Sequence, residues 1–455
     1  MDLLLNSKSK DLKGRLLTGI SKSIKILRNQ KESLPVLRVQ IPIEHWNILN
    51  WLSRQSAAPK IYWSARDGTF ETGGAGAADM IQGTRSVDYK AVLGAMKKNL
   101  SAEFPHLRYY GGFCFDENNM DKEWEAFGAY RYWLPRFEMV HSNGETYFAC
   151  NLTAKDLNNI PSIENEFDGL DFLKGNDSEL HLLPKSRQDF PAYPLWAQVA
   201  DHVIRSFESG LLEKVVLARK TLFHFARPLS AVDVMARVKV MSPDCFHFCF
   251  QTESGAAFLG ASPERLYRRQ GEALSTEAIA GTRPRGKTAA DDENYRQELL
   301  NSAKDKSEHR FVVDTLRDNL LCLCREFETD PSAAILKLKD GQHLISRFEG
   351  TLKSEISDDE ILATLHPTPA VAGCPTEEAL KTIRQLEPFK RGWYAAPVGW
   401  VGAVDSEFAV AIRSGLIQND QLALYSGAGL VKGSVPEAEW DEIENKMSGF
   451  MKVFR

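Results

Sequence analysis

Short apolar runs bounded by turn residues recur along the chain and predict strands. In the first 190 residues they are KIYWSA, YYGGFCF and WLPRFEMVHSNGETYFACNL, the last a hairpin that turns at Ser142-Asn143-Gly144. From position 213 they are EKVVLARKTLFHF, DCFHFCFQT, AAFLGASP, RLYRR and EALSTEAIAGT, with an antiparallel turn at Gln270-Gly271. Further on come QHLISRFEGTL, WYAAPVGWVG, FAVAIRSGLI and QLALYSGAGLV. Helical spacing intervenes at 195–209, closed by Gly210, at about 291–325, from Thr376 to about Leu386, and from Pro436 onward. Leu12, Leu16, Ile20 and Ile24 stand four apart and predict an amphipathic helix lying on the body of the protein. An amphipathic organelle-targeting segment is the alternative for this Lys-, Arg- and Ser-rich start. Strands in antiparallel order with helices between them predict an α+β fold rather than a doubly wound parallel sheet.

Length and composition narrow the class. At 455 residues the chain has room for two or three domains or one large one, and the prolines at 184, 191 and 194 mark a candidate linker over 173–192. Hydrophobic residues at 43% and charged residues at 26% exclude a disordered or fibrous chain. The net charge of −5 gives no electrostatic reason to expect nucleic acid, and no apolar run is long enough to span a membrane. Seven cysteines, scattered and without metal-binding spacing, predict reduced thiols and a cytoplasmic protein. Cys322 and Cys324, in the run LRDNLLCLC, read as core packing.

A few charged residues interrupt apolar patterns. Lys214 opens KVVLAR, where alternation places Lys214, Val216 and Ala218 on one face of a strand covered on both sides. It is either an edge residue reaching water or a desolvated amine usable as a base. Glu264, in FLGASPERL, is either a turn carboxylate in water or a proton donor raised by its apolar neighbours. Glu308 continues the stripe Val312, Leu316, Leu320 toward the start of its helix, so it needs a partner: a metal ion, or Lys304 one turn back. In the last helix, Ser434 and Glu437 match a capping box. Trp440, Ile443, Met447 and Phe450 form its buried stripe, and Glu439, Glu442 and Lys446 border it, a set suited to a hard cation and a substrate carboxylate. Gly427 and Gly429 in YSGAGLVKGS lack the spacing of a phosphate loop but permit close backbone approach to an anion. His343 and Arg413 are polar positions in otherwise apolar strands, each readable as structural or functional.

The order and spacing of these segments resemble the chorismate-utilising enzymes, from about Trp196 to the C-terminus. The segments that carry the likeness include KVVLAR, FLGASPERL, TEAIAGTRPRG, DKSEHRFVVD, QHLISRFEG, HPTPAVAGCP, AIRSGL and YSGAGLVKGSVPEAEWDEIENKM. Within that family the pattern is most similar to the isochorismate synthases: HPTPAVAGCP is their loop, and Ala280 stands where aminodeoxychorismate synthases place a nucleophilic Lys. Salicylate synthase, which also eliminates pyruvate, is the nearest alternative; an isochorismate synthase of a siderophore pathway and a non-catalytic binding subunit are others.

The resemblance implies one large domain of two packed, mainly antiparallel sheets flanked by helices, with residues 1–190 a looser part of it and 191–455 the chorismate-binding core. It implies Mg²⁺-dependent, reversible conversion of chorismate to isochorismate, feeding menaquinone synthesis. It casts Lys214 as general base and Glu264 as general acid. Glu308, Glu442 and Glu439 become Mg²⁺ ligands, and Gly281, Thr282, His343, Arg413, Gly427 and Lys446 substrate contacts. It further implies a monomer or weak homodimer without a glutamine amidotransferase subunit.

Overall fold

The computed structural model describes residues 2–29, 36–117, 121–172, 182–339 and 341–454. Its strands, numbered in chain order, join in one hydrogen-bonded network whose pairings are all antiparallel among the described residues. One arm runs from β7 (Ser186–Phe190) through β8 (Lys214–His224), β20 (Gln421–Val431), β19 (Ser414–Gln418), β10 (Ala257–Ser262), β9 (Phe246–Gln251) and β2 (Lys60–Ser64) to β3 (Phe70–Gly83). The other runs from β4 (Tyr109–Phe113) through β17 (Pro397–Val401), β18 (Asp405–Val410), β11 (Arg265–Gln270) and β12 (Ala273–Pro284) to β15 (Gly341–Leu352). Along β15 lie β13 (Cys324–Thr329) and β14 (Ala334–Lys337).

The long strand β5 (Tyr130–Ser142) joins the arms. It pairs with β3 along its length, takes β4 over Tyr130–Trp133, and takes β6 (Glu145–Thr153) over Phe137–Ser142, with β1 (Val36–Pro42) outside β6. Its hairpin with β6 turns at Asn143 (φ 52°) and Gly144 (φ 82°), the paired left-handed residues that a two-residue hairpin loop favours. The remaining strand, β16 (Gly373–Cys374), lies on β8 opposite Lys214 and Val215.

The expected joint at 173–192 does not separate two units. Residues 173–181 lie outside the described residues, but β7 adds directly to β8. Two more ladders, β2–β9 and β4–β17, bind the first 190 residues to the rest. Trp124 seals the contact: it is fully buried and meets Phe258 of β10 and Tyr425 of β20 edge-on or tilted.

Helices cover the sheet as the apolar spacing predicts. The N-terminal helix Asp2–Asn29 buries Leu12, Leu16 and Ile20 against the body. The helix Thr376–Leu386 has the predicted bounds. The long helix expected over 291–325 is two, Ala289–Asn301 and Ala303–Leu323, because Ser302 leaves helical geometry (ψ 115°) and its side chain caps the second helix at Asp305 N. Cys324 is buried as expected, but Cys322 faces solvent, since the stripe that meets the sheet is Val312, Leu316, Leu320 and Leu323. At the C-terminal helix Pro436–Met451 the capping box does not form. Val435 is the cap residue, and the Ser434 hydroxyl turns back to accept from Val431 N. Among the described residues no helix is long and apolar enough to cross a membrane.

One buried ion pair ties a loop to the sheet. Arg391 donates to both oxygens of Glu387, to the Val371 carbonyl and to the Val216 carbonyl, while Glu387 accepts from Ala218 N. Removing one partner of such a pair leaves a buried charge unmatched. Arg391→Met should therefore lower the free energy of unfolding by about 3–5 kcal/mol, measured by urea denaturation.

Candidate active site

Two of the crossings by which the chain passes between the arms of the sheet are short and carry polar residues. Glu264 lies where the chain leaves β10 for β11, and Arg413 where it leaves β18 for β19. Hydrogen bonds fasten the crossings together. Val410 N donates to the Glu264 carbonyl (3.1 Å), Ser262 Oγ to the Val410 carbonyl (2.6 Å), and Ala261 N to the Arg413 carbonyl (3.2 Å). The segment FAVAIRSGLI, expected as one strand, is thus two. Arg413 has φ +49°, a left-handed conformation that a strand cannot continue through.

Beside these crossings lies a chamber of about 90 Å³, and Glu264, Gly281, Thr282, Glu308, His343, Arg413, Gly427, Glu442 and Lys446 are among its walls. It shares Thr282, Glu308, Arg413, Glu442 and Lys446 with an outer cleft of about 680 Å³, which adds Glu439, Lys304 and Arg283. The structure thus gathers the expected site residues from four strands, two helices and two crossings.

Lys214 stands just behind the wall. Its side chain is fully buried, so the solvent-edge alternative is wrong: β16 and the helix Ala303–Leu323 cover this end of β8. Lys214 Nζ lies 3.1 Å from Glu308 Oε1 but off hydrogen-bonding alignment, and it has no hydrogen-bond acceptor. Gly429 makes room for this pair. A Cβ there would lie 2.5 Å from Glu308 Oε1 and 3.2 Å from Lys214 Cε.

The three acidic residues each face a different lysine. Glu308 pairs with Lys214, Glu439 with Lys304, and Glu442 with Lys446 at 2.7 Å. Lys304 therefore serves Glu439, not Glu308 one turn away. Burial raises the Glu439 carboxyl, and Lys304 only partly offsets it. Loss of water also pushes Glu442 upward, but Lys446, Lys304 and Lys214 together hold it below the usual carboxylate range. By donor type and place the three carboxylates suit a hard divalent cation. Among the described residues no three metal-ligating side chains converge, because each carboxylate is turned toward its own lysine.

Glu264 has the opposite environment. It is 4% exposed, and burial with the nearby Glu277 raises its carboxyl to about 8, against the opposing pull of Lys214 and Lys446. It is a carboxylic acid at neutral pH, the form that donates a proton.

His343 is held on both sides of its ring. Arg413 Nη2 approaches Nε2 at 2.8 Å, and Nδ1 lies 3.1 Å from Thr282 Oγ1. A guanidinium only donates, so Nε2 is the acceptor and Nδ1 carries the proton. Burial, then Arg413 and Lys446, drive the imidazole well below its usual range and keep it neutral. Its ring nitrogens are thus committed to orienting Arg413 and Thr282. Gly281 beside them has φ +77°, and a Cβ there would meet Asp305 Cβ at 3.0 Å, so the backbone conformation and the space both select glycine.

Residues 21–455 match the family described as chorismate binding enzyme. The chain belongs to that family. Isochorismate synthase MenF of Escherichia coli is 32% identical, over 97% of this chain and 99% of its own length. Isochorismate synthase 2, chloroplastic, of Arabidopsis thaliana is 32% identical, over 96% of this chain and 84% of its own. The solved structure of MenF, the menaquinone-specific isochorismate synthase from Escherichia coli, superimposes with a TM-score of 0.83 at 30% identity, covering 97% of this chain and 100% of that one. Anthranilate synthase component I from Streptococcus pneumoniae shares the fold, with a TM-score of 0.65 at 19% identity.

Some wall residues were not singled out as site residues. Ala370, Val371, Ile412, Tyr394 and Ser426 line the chamber; all but Tyr394 lie in segments quoted for the family likeness, yet taken singly each reads as ordinary packing or turn chemistry. Only the fold brings them in, the first two through Arg391 and the short β16 ladder. Arg283 and Asp305 pair at 2.8 Å at the mouth, and their opposite charges on adjoining elements would have been a clue.

Gly429 yields a direct test. Gly429→Ala should push Glu308 away from Lys214 and lower kcat at least roughly tenfold while the enzyme still folds cooperatively, because the clash falls on a side-chain carboxylate at the edge of an open cleft. Steady-state kinetics beside a melting curve checks it.

Proposed function

We propose that the protein is an isochorismate synthase that isomerises chorismate with the help of Mg²⁺. The observation that carries this is a pair of buried groups: a lysine, Lys214, without a hydrogen-bond acceptor, and a carboxylic acid, Glu264, raised to about 8. The family relationship supplies the substrate class, and relatives similar over most of the chain bear the name of this activity.

The reaction adds water at C2 of the ring, shifts the double bonds and releases the C4 hydroxyl. Lys214, in its neutral amine form, takes a proton from the attacking water. Glu264 gives a proton to the C4 oxygen, so that it departs as water rather than as hydroxide. One water enters and one leaves, so substrate and product are isomers and the reaction is reversible. Arg413, held by His343, and Lys446 are cations in the chamber wall that suit a dianionic substrate. Glu308, Glu439 and Glu442 would hold Mg²⁺, which when bound neutralises the ring carboxylate and the charge that shifts through the π system. Those carboxylates must then exchange their lysine partners for the cation.

The product is expected to enter menaquinone synthesis, as the name of the Escherichia coli relative suggests. The loop HPTPAVAGCP, which differs from that of the aminating members, supports a reaction without ammonia and so without a glutamine amidotransferase subunit; a monomer or weak homodimer is expected. Seven free cysteines suit a reducing cytoplasm.

Incubation of the pure protein with chorismate and Mg²⁺ should accumulate isochorismate, followed by chromatography. Salicylate and pyruvate in its place would overturn the proposal in favour of a salicylate synthase. Lys214→Ala should lower turnover by roughly 10²–10⁴-fold. Its fold should persist, because Glu308 keeps access to cleft water, and circular dichroism checks this. An acid must be protonated to act, so kcat/KM should fall as pH rises through about 8. A profile flat from pH 7 to roughly 10 would remove Glu264 from the role.

A further inference from the structure

Glu264 is held by more than its own strand ends. Four backbone groups around it are bonded. The Pro263 carbonyl accepts from Arg66 Nη1 (2.6 Å), Glu264 N donates to Ser262 Oγ (3.2 Å), the Glu264 carbonyl accepts from Val410 N (3.1 Å), and Arg265 N donates to Glu277 Oε1 (2.9 Å). Two of these partners, Arg66 and Glu277, grip each other in a two-pronged pair at 2.6 and 2.8 Å. Glu277 lies on β12 with its side chain 2% exposed. Arg66 comes from the turn between β2 and β3, which is braced by Asp67 accepting from Thr69 N and Oγ1. Neither residue lines the chamber.

We propose that Glu277, locked by Arg66, is a positioning residue for the isomerisation: its carboxylate keeps Glu264 in the proton-donating form, and the pair clamps the backbone on both sides of that residue. The proposal rests on Glu264 being the general acid. Of two neighbouring buried carboxyl groups, the one that forks with a guanidinium keeps the negative charge. The other keeps the proton. Here the fork belongs to Glu277, so the proton stays on Glu264, at the chamber. Opposing this are Lys214 from β8 and Lys446 from the C-terminal helix. Tyr394, from the segment before β17, also faces it, and His343 on β15, Arg413 at the second crossing, Glu308 and Glu442 complete the charged or titratable walls. The N-terminal part of the chain, through Arg66, thereby takes part in setting the acid.

The test is the pH dependence of kcat/KM for chorismate isomerisation. In Glu277→Gln the basic limb should move to lower pH by about 0.5–1 unit, with kcat near pH 6 within a few fold of wild type. Glu277→Asp keeps the charge and should keep the limb. A merely structural role would lower activity at every pH and leave the limb in place, and that result, in a folded Glu277→Gln enzyme, overturns the proposal. Should the single variant not fold, Arg66→Gln/Glu277→Gln removes both members of the buried pair together and should show the same downward movement; an unmoved limb there also overturns it. Glu264→Gln separates the two ideas. If it retains turnover and the limb, the assignment of the acid falls first. If it is inactive while Glu277→Gln leaves the limb unmoved, only the role of Glu277 falls.

Discussion

A lysine side chain buried without a hydrogen-bond acceptor constrains everything around it. Carrying a charge out of water costs several kcal/mol unless an opposite charge is near, and Glu308 is the group that meets Lys214. To bring it there, the helix Ala303–Leu323 must turn a carboxylate along the same stripe as Val312 and Leu316, and β20 must carry glycine where the carboxylate passes. The cover over Lys214 also has to be close-fitting. A Cβ at Gly373 would lie 2.1 Å from the Lys214 carbonyl, so β16 reaches β8 only through a glycine.

Two short crossings between the arms of the sheet give the chamber its chemistry. A strand residue is confined to one of two faces, but a residue where the chain changes arms can point into the space between them. Glu264 and Arg413 use that freedom, and the bonds from Ser262 and Val410 join the two crossings into a single unit. The proposed base and acid then sit on different supports, Lys214 on a continuous ladder and Glu264 on a switch. The carboxyl groups are sorted by environment: lysines hold Glu442 ionised, while burial and Glu277 hold Glu264 protonated.

Much of this was legible in the sequence. The hairpin at Asn143-Gly144 follows from turn chemistry, and the helix Thr376–Leu386 from its spacing. Glu308 was visible as a charge on an apolar stripe. Four readings failed because a local pattern competed with a distant partner. The run FAVAIRSGLI is apolar enough for one strand, but it must change arms at Arg413. Ser434 matches a cap, yet Val431 N claims its hydroxyl. Lys304 is one turn from Glu308, yet Glu439 from another helix claims it. The joint expected near the prolines failed likewise, since β7 finds its partner in β8.

By itself the sequence determined most of the strands and helices, the candidate site residues and the family likeness, because periodicity, turn residues and motif spacing are local properties of the chain. The tertiary structure alone decided which lysine meets which carboxylate, that Lys214 is fully buried, and that Arg66 and Glu277 stand behind Glu264. Protonation and pairing depend on distances between side chains hundreds of positions apart, as between Arg66 and Glu277, and no pattern along the chain encodes them.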